Sequence, residues 1–390
     1  MNLGRRIVTG LGLCLLAVAA SPGVSASSSL EGSRTGHLYV NDNTAGTNTI
    51  AAFARHADGS LTPLAGSPFS AGGAGTGTIV GSQGALQVSG DGRYLLAVDT
   101  GSNQISVLRI GPEGSLSQVA GSPVSSGGIQ PVSIAVHHNL VYVANLGNGA
   151  SGSNYTGFAL NASGRLTSLA NSTVALPGTA NPGDILFNKT GTNVVGIEVG
   201  TTSSGFLIDS FTVGKDGRLT PAAGSPFPAQ APGPFGSEFS PTNPTHLYIS
   251  NAHGGAGNGS VSAFNVAHNG VLTSISDSPY PDGRTAPCWV EISHDGKYLF
   301  TVNTGSTDIS SYKIQKDGSL SLLSDTPFTS GLGIKPFDAR LDPTGNDLYV
   351  VDAAIHAVSA FSVRGGTLTE LTQSPFGLPT TATPFGIVVT

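Results

Sequence analysis

Seven apolar runs, each closed by a polar residue, set the pattern of this chain. They are Leu38-Tyr39-Val40-Asn41-Asp42, Leu95-Leu96-Ala97-Val98-Asp99, Val141-Tyr142-Val143-Ala144-Asn145, Val194-Val195-Gly196-Ile197-Glu198, Leu247-Tyr248-Ile249-Ser250-Asn251, Leu299-Phe300-Thr301-Val302-Asn303 and Leu348-Tyr349-Val350-Val351-Asp352. The closing column recurs every 46 to 57 residues, near the roughly 40–50 of a four-stranded propeller blade. Runs this short and this apolar, bounded by turn residues, predict buried strands and not helices.

The rest of each unit supplies three more strands. A second apolar stretch follows the polar column, as in Ile105 to Arg109 or Val261 to Asn265. Asp216-Gly217 and Asp317-Gly318 then mark a tight hairpin, where glycine supplies positive φ. A short outer strand runs into Gly66-Ser67-Pro68-Phe69, repeated at Gly121 to Pro123, Gly224 to Phe227, Asp277 to Tyr280 and Ser374 to Phe376. A proline opens the next inner strand, as at Pro287. The ordered chain enters at a second strand, and its tail, Pro384 to Val389, reads as a first strand without a successor. The fold class expected is therefore all-β: a seven-bladed β-propeller over residues 37–390, its ring closed by three N-terminal strands and one C-terminal strand. Such closure removes the free edges of an open sheet.

The N-terminus has a different character. Arg5 and Arg6 precede an apolar run from Ile7 to Ala20, then Val24-Ser25-Ala26. This is the pattern of a secretory signal peptide over 1–26, with a mature start near Ser27 and a flexible segment over 27–36. The run is too short for a membrane span, so stable membrane insertion is not expected. With Cys14 in the leader, Cys288 is left alone, which excludes an internal disulfide and a cysteine-ligated zinc. The formal net charge of −6 becomes two units more negative once Arg5 and Arg6 are removed. No basic run follows, which argues against nucleic acid as a partner.

The Tyr-Val-x-Asn-like strands, Asp-Gly turns and Gly-Ser-Pro-Phe segments resemble the lactonase-family propellers, which include 6-phosphogluconolactonase-like and carboxymuconate-lactonising proteins. The resemblance spans nearly the whole mature chain. It implies a site at the mouth of the central channel acting on lactones of sugar acids or on muconates. It also implies Arg-His after the proline of one inner strand, where this chain has Phe235-Gly236. A Glu implied after Asn251 is replaced by Ala252, and an Arg in the next blade by Thr304.

At that mouth the polar column joins the residues just after each inner proline. Asp184 with Glu198, and Asp338 with Asp352, form two acid pairs expected to face one another across the opening. Such a rim suits a divalent cation such as calcium, or a polyhydroxylated ligand. Asn and Asp at strand ends also start turns through their own backbone, which competes with that reading. Trp289 is either a stacking platform for a sugar ring or packing between blades. His253 lies one position from a family slot, and His137, His138, His253 and His356 lack metal-type spacing. Glu238, Glu291 and Arg340 share one slot on three consecutive inner strands, expected as a charge-paired stitch, with catalysis as the competing role.

Three classes of function stay open. The first is a secreted, monomeric propeller binding a small molecule, glycan or protein at the channel mouth, its lactonase site degenerate. The second is a lactone hydrolase or muconate cycloisomerase-like enzyme with a rearranged, metal-assisted site. The third is a structural envelope protein. The replaced family residues favour the first over the second.

Overall fold

The computed structural model describes residues 33–201 and 205–390. The leader expected over 1–26, and the segment after it up to residue 32, lie outside the described residues. The first strand begins at Arg34, ahead of the expected 37.

Each apolar run becomes the second strand of an antiparallel sheet, with neighbouring blades covering both faces. That double cover is why these runs are continuous and not alternating: Leu247, Tyr248 and Ile249 are all fully buried. Seven such sheets form among the described residues. Blades 2 to 7 start with inner strands Leu86–Val88, Pro131–His137, Pro182–Phe187, Pro234–Phe239, Pro287–Ile292 and Pro336–Leu341. Blade 1 takes its inner strand, Ile387–Val389, from the far end of the chain. There Val40 pairs with Ile387, Tyr39 with Val388 and Leu38 with Val389. His37 and Thr390 exchange backbone hydrogen bonds of 3.0 and 2.8 Å beside them. The expected closure is the one observed.

The repeated side chains have specific work. Every outer strand but one is broken in two, and a Ser at the break bridges it. Ser67, Ser122, Ser172, Ser225, Ser278 and Ser374 each accept a hydrogen bond from a third-strand N–H, on Ala52, Val107, Gly157, Ser210, Ala263 and Ala360. The break would otherwise leave those donors unpaired. Blade 6 carries Ser324-Asp325-Thr326-Pro327 instead and keeps one unbroken outer strand, Leu320–Pro327. Tyrosines on the second strands join blade to blade. The hydroxyls of Tyr39, Tyr142, Tyr248 and Tyr349 donate to the turn carbonyls of Gly114, Gly217, Gly318 and Gly59 at 2.8–3.0 Å. The last of these crosses the ring closure.

Candidate functional site

Seven inner strands surround the central channel, and a bulge just after the opening proline re-aims the residues that follow it. Register shifts lie between Pro131 and Ser133, Pro182 and Asp184, Pro234 and Ser237, Pro287 and Trp289, and Pro336 and Ala339. Bulges of this kind commonly redirect side chains at functional sites. Two tiers of side chains result, one at the mouth and one deeper in the channel.

The mouth tier is filled. Blade 2 has no proline at its inner strand, and the residues before it, Gly81 to Gly84, cross the axis. Ser82 donates to the Val132 carbonyl at 2.8 Å and accepts from the Trp289 indole N–H at 2.8 Å. The Gln83 backbone N–H reaches the Gly183 carbonyl. Its side-chain amide donates to the carbonyl of Ser237 and accepts from the N–H of Val290. The Ile134 N–H donates to the Gly84 carbonyl, and the Gly84 N–H approaches Asp338 Oδ2 at 3.5 Å. Three residues, Ser82, Gln83 and Gly84, thereby tie blade 2 to blades 3, 4, 5, 6 and 7. Beside them Trp289, 2% exposed, stacks on Phe337 at 4.8 Å and meets Phe235 edge-on at 5.3 Å.

The expected open acidic rim is therefore corrected: its members are interior and dispersed. Asp184, 2% exposed, accepts from the Ser133 hydroxyl at 3.1 Å and from the Ser237 hydroxyl at 2.6 Å and N–H at 3.0 Å, joining three blades. Burial pushes its carboxyl up to about 7 against the pull of those hydrogen bonds. Asp338 has no exposed surface and accepts from the Ala339 N–H at 2.9 Å; burial raises it to about 6. Glu198 hydrogen-bonds Asp209, whose other partner is the Tyr155 hydroxyl at 3.0 Å, and burial beside that second carboxyl raises both acids. Asp352 accepts from Ser359 Oγ at 2.6 Å, with its Oδ1 left unpartnered, and rises to about 8 through burial. His253 sits exposed in blade 5, its ring 6.4 Å from Phe206. No hydrogen bond, ion pair or ring contact among the described residues joins any two of these six, and no three His, Cys, Asp or Glu side chains there are placed to hold a metal ion. Trp289 takes the packing role and not that of an open platform.

The polar column itself has a recurring use. Asp42 accepts from Thr49, Asp99 from Ser106 and Asp352 from Ser359, while Asn251 and Asn303 donate to Ser262 and Ser310. Each pins the start of the third strand to the end of the second. Cys288 is buried, and burial pushes its thiol up to about 12, which makes it a poor nucleophile.

The deeper tier holds Gln87, Ala135, Leu186, Glu238, Glu291, Arg340 and Val388. Each lies opposite the second residue of an apolar run, respectively Leu96, Tyr142, Val195, Tyr248, Phe300, Tyr349 and Tyr39. Arg340 Nη1 lies 3.1 Å from Glu238 Oε1 and 2.8 Å from Glu291 Oε2. Glu291 Oε1 also accepts from the Leu341 N–H at 3.3 Å. Here the expected stitch between three blades is the one observed. Desolvation, only partly offset by Arg340, pushes Glu238 up to about 8, and the Arg340 guanidinium is held well above its ordinary value by the surrounding acids. All but Val388 line a cavity of about 260 Å³. It brings two glutamate side chains, one of them with its neutral form favoured by burial, together with a guanidinium.

The profile of a family described as "Lactonase, 7-bladed beta-propeller" matches residues 35–181 and 197–384. The chain belongs to the lactonase family. No curated protein matches it. Among solved structures, this lactonase-family propeller is similar to a Bacteroides uniformis protein provisionally named a 6-phosphogluconolactonase, at 19% identity and a TM-score of 0.72, over 92% of this chain and 99% of that one. It is likewise similar to its Bacteroides fragilis counterpart, at 18% identity and a TM-score of 0.71, over 91% and 97%. The periplasmic gluconolactonase of Pseudomonas aeruginosa gives 16% identity and a TM-score of 0.70, over 91% and 99%. At such identities the likeness speaks for the fold alone.

The slots to which the lactonase resemblance assigned catalytic groups are closed by packing. Phe235 lies against Trp289. A β-carbon on Gly236 would stand 2.2 Å from Gln83 Oε1 and 2.5 Å from the Cys288 carbonyl oxygen. Ala252 is buried, and the Thr304 hydroxyl donates to the Pro336 carbonyl at 2.8 Å. Gln83, which fills this space, is the residue that the sequence reading missed. The signal available was the lack of an inner-strand proline in blade 2 alone.

Proposed function

We propose that this lactonase-family propeller is exported and binds a small molecule without turning it over. One observation carries the reading. Where the family resemblance calls for Arg-His, Glu and Arg, the chain has Phe235, Gly236, Ala252 and Thr304, and Gln83 Oε1 fills the space beside Gly236. None of these side chains can act as a general base, and the Gln83 amide and Thr304 hydroxyl already donate to the Ser237 and Pro336 carbonyls, so lactone opening at the mouth lacks both a base and a free oxyanion donor. Export is supported by the Arg5-Arg6 start, the apolar run and the small residues ending at Ala26.

The test is a turnover screen of secreted mature protein against sugar-acid and muconate lactones. The expected rate is that of buffer, and the secreted material should begin near Ser27 on N-terminal sequencing. A second reading has one observation in its favour. Glu238, protonated at neutral pH beside Arg340, has the form of a general acid with an oxyanion partner. Turnover that is abolished by Glu238→Gln would establish that reading in place of the first.

A further inference from the structure

We infer that the deeper channel cavity, entered from the face opposite the mouth, binds a neutral polyhydroxylated molecule of the size of one sugar ring. This rests on the binding reading above and specifies its site and ligand.

Access follows from exposure along the inner strands. Ser133, Asp184 and Asp338 are buried under the Gly81–Gly84 segment. Farther along the same strands Val136, Leu186, Phe187, Glu238 and Arg340 are only half-buried. The channel is thus closed at one end and hollow toward the other. Its volume of about 260 Å³ lies below the ~300–1,000 Å³ of pockets for drug-sized ligands, which sets the upper bound at a single ring.

The chemistry comes from the ion trio. Arg340 spends one nitrogen, Nη1, on both carboxyl groups. Its Nε and Nη2 have no hydrogen-bond partner among the described residues, and neither is sealed from the accessible space. The guanidinium therefore offers donors into the cavity while the two carboxyl groups beside it offer acceptors. A vicinal diol satisfies both at once, each hydroxyl accepting from Arg340 and donating to Glu238 or Glu291. An anion would meet the two acids, and a cation would meet Arg340. An apolar molecule would strip water from all three without replacing its hydrogen bonds. The flanking Phe187 and Leu186 suit the C–H face of a ring.

The charge state agrees with a neutral ligand. The charged groups acting on Glu238 are Arg340, Glu291, Asp184 and Asp338, and burial outweighs them, raising Glu238 to about 8. Burial thus favours the neutral form of Glu238, and Arg340 Nη1 lies 2.8 Å from Glu291 Oε2.

Calorimetric and ligand-observed NMR titration of the mature protein tests this, with glucose, galactose, mannitol and myo-inositol as neutral probes. Gluconate, glucuronate and glucosamine are the charged counterparts. At least one neutral probe should bind at pH 7, its charged counterparts about tenfold or more weakly, the equivalent of one hydrogen bond to a charged group. Glu238→Met, which keeps the size and removes the acceptor, should weaken binding about fivefold, the equivalent of one neutral hydrogen bond, and Ala135→Phe, which fills the cavity, should abolish it. If Ala135→Phe does not fold, Glu238→Met decides alone. The inference is overturned if no neutral probe binds, if a charged probe binds tightest, or if binding survives Glu238→Met unchanged. Lactone turnover at the mouth would overturn the function proposal and leave these titrations to stand by themselves.

Discussion

The two ends of the channel are made by the same seven strands and are filled in opposite ways. At the mouth, Ser82, Gln83 and Gly84 meet carbonyls of four other blades and the Asp338 carboxyl of a fifth, and Trp289, Phe235 and Phe337 pack beside them. Deeper in, Arg340 lies within ion-pair distance of Glu238 and Glu291 around an open volume. Seven strands leave a hole too wide for their own side chains to close, so each end needs a filler. A segment whose hydrogen bonds are all met inside the protein makes a plug. A filler with donors to spare makes a site. The lesson is that function in this ring turns on which end has surplus hydrogen-bonding capacity, and not on which end the family uses.

Three perturbations sharpen or break this contrast. The largest is Trp289→Ala, which empties the packed end and strands the Ser82 carbonyl. Truncating a buried Trp costs about 3–5 kcal/mol, readable by urea denaturation, while sugar titrations at the deeper end should be unaffected. A loss below about 1 kcal/mol, the range of surface changes, would mean that the mouth is not packed as described. Next is Gly236→His, which restores the histidine implied by the family. Its β-carbon collides with Gln83 Oε1 and the Cys288 carbonyl, so about 1–3 kcal/mol of stability should be lost through overpacking, with no gain of lactone turnover. Turnover gained on this single change would show that the plug yields.

The smallest effect is spread over both ends and concerns pH. Burial raises Asp42 and Asp184 to about 7, Glu238 and Asp352 to about 8, and Asp99, Asp282 and Asp338 to about 6. The folded state thus holds protons that the unfolded chain releases above the ordinary carboxyl range. Stability should be greatest in mild acid and fall as the pH rises from about 4 to about 8. Melting temperatures at pH 5 and pH 8 check the sign, and the Asp184→Asn and Asp338→Asn pair should flatten the slope. A melting temperature that rises toward pH 8 would contradict the assigned burial.

Much of this architecture is legible in the sequence. The repeat, its strand order and the closure by the tail follow from apolar runs whose period is fixed by the blade. Arg340, Glu238 and Glu291 were also recognisable as partners, because identical slots on adjacent inner strands must face the same axis. What escaped was which end of the axis stays open. That depends on Gly81 to Gly84, four small or polar residues ahead of the blade 2 inner strand. Their placement follows from hydrogen bonds to groups as distant in sequence as Val290. Asp184 and Asp338 were correctly put just after the inner prolines, yet position along a strand does not reveal what lies above it. Local pattern fixes the direction of a side chain; only the assembled ring decides whether it meets water.

The pairing of Leu38, Tyr39 and Val40 with Val389, Val388 and Ile387 has a consequence in time. The strand that completes the first blade is the latest of the ring's strands to be synthesised. Blades 2 to 7 can form in order of synthesis, but Leu38 to Asn41 must wait with one backbone edge unpaired until every other strand of the ring exists. A pairing this distant in sequence forms slowly, because its loop-closure entropy must be met before the contact is made. The same delay keeps the ring open until that strand is made, so one late strand sets the moment at which the circle of blades can close.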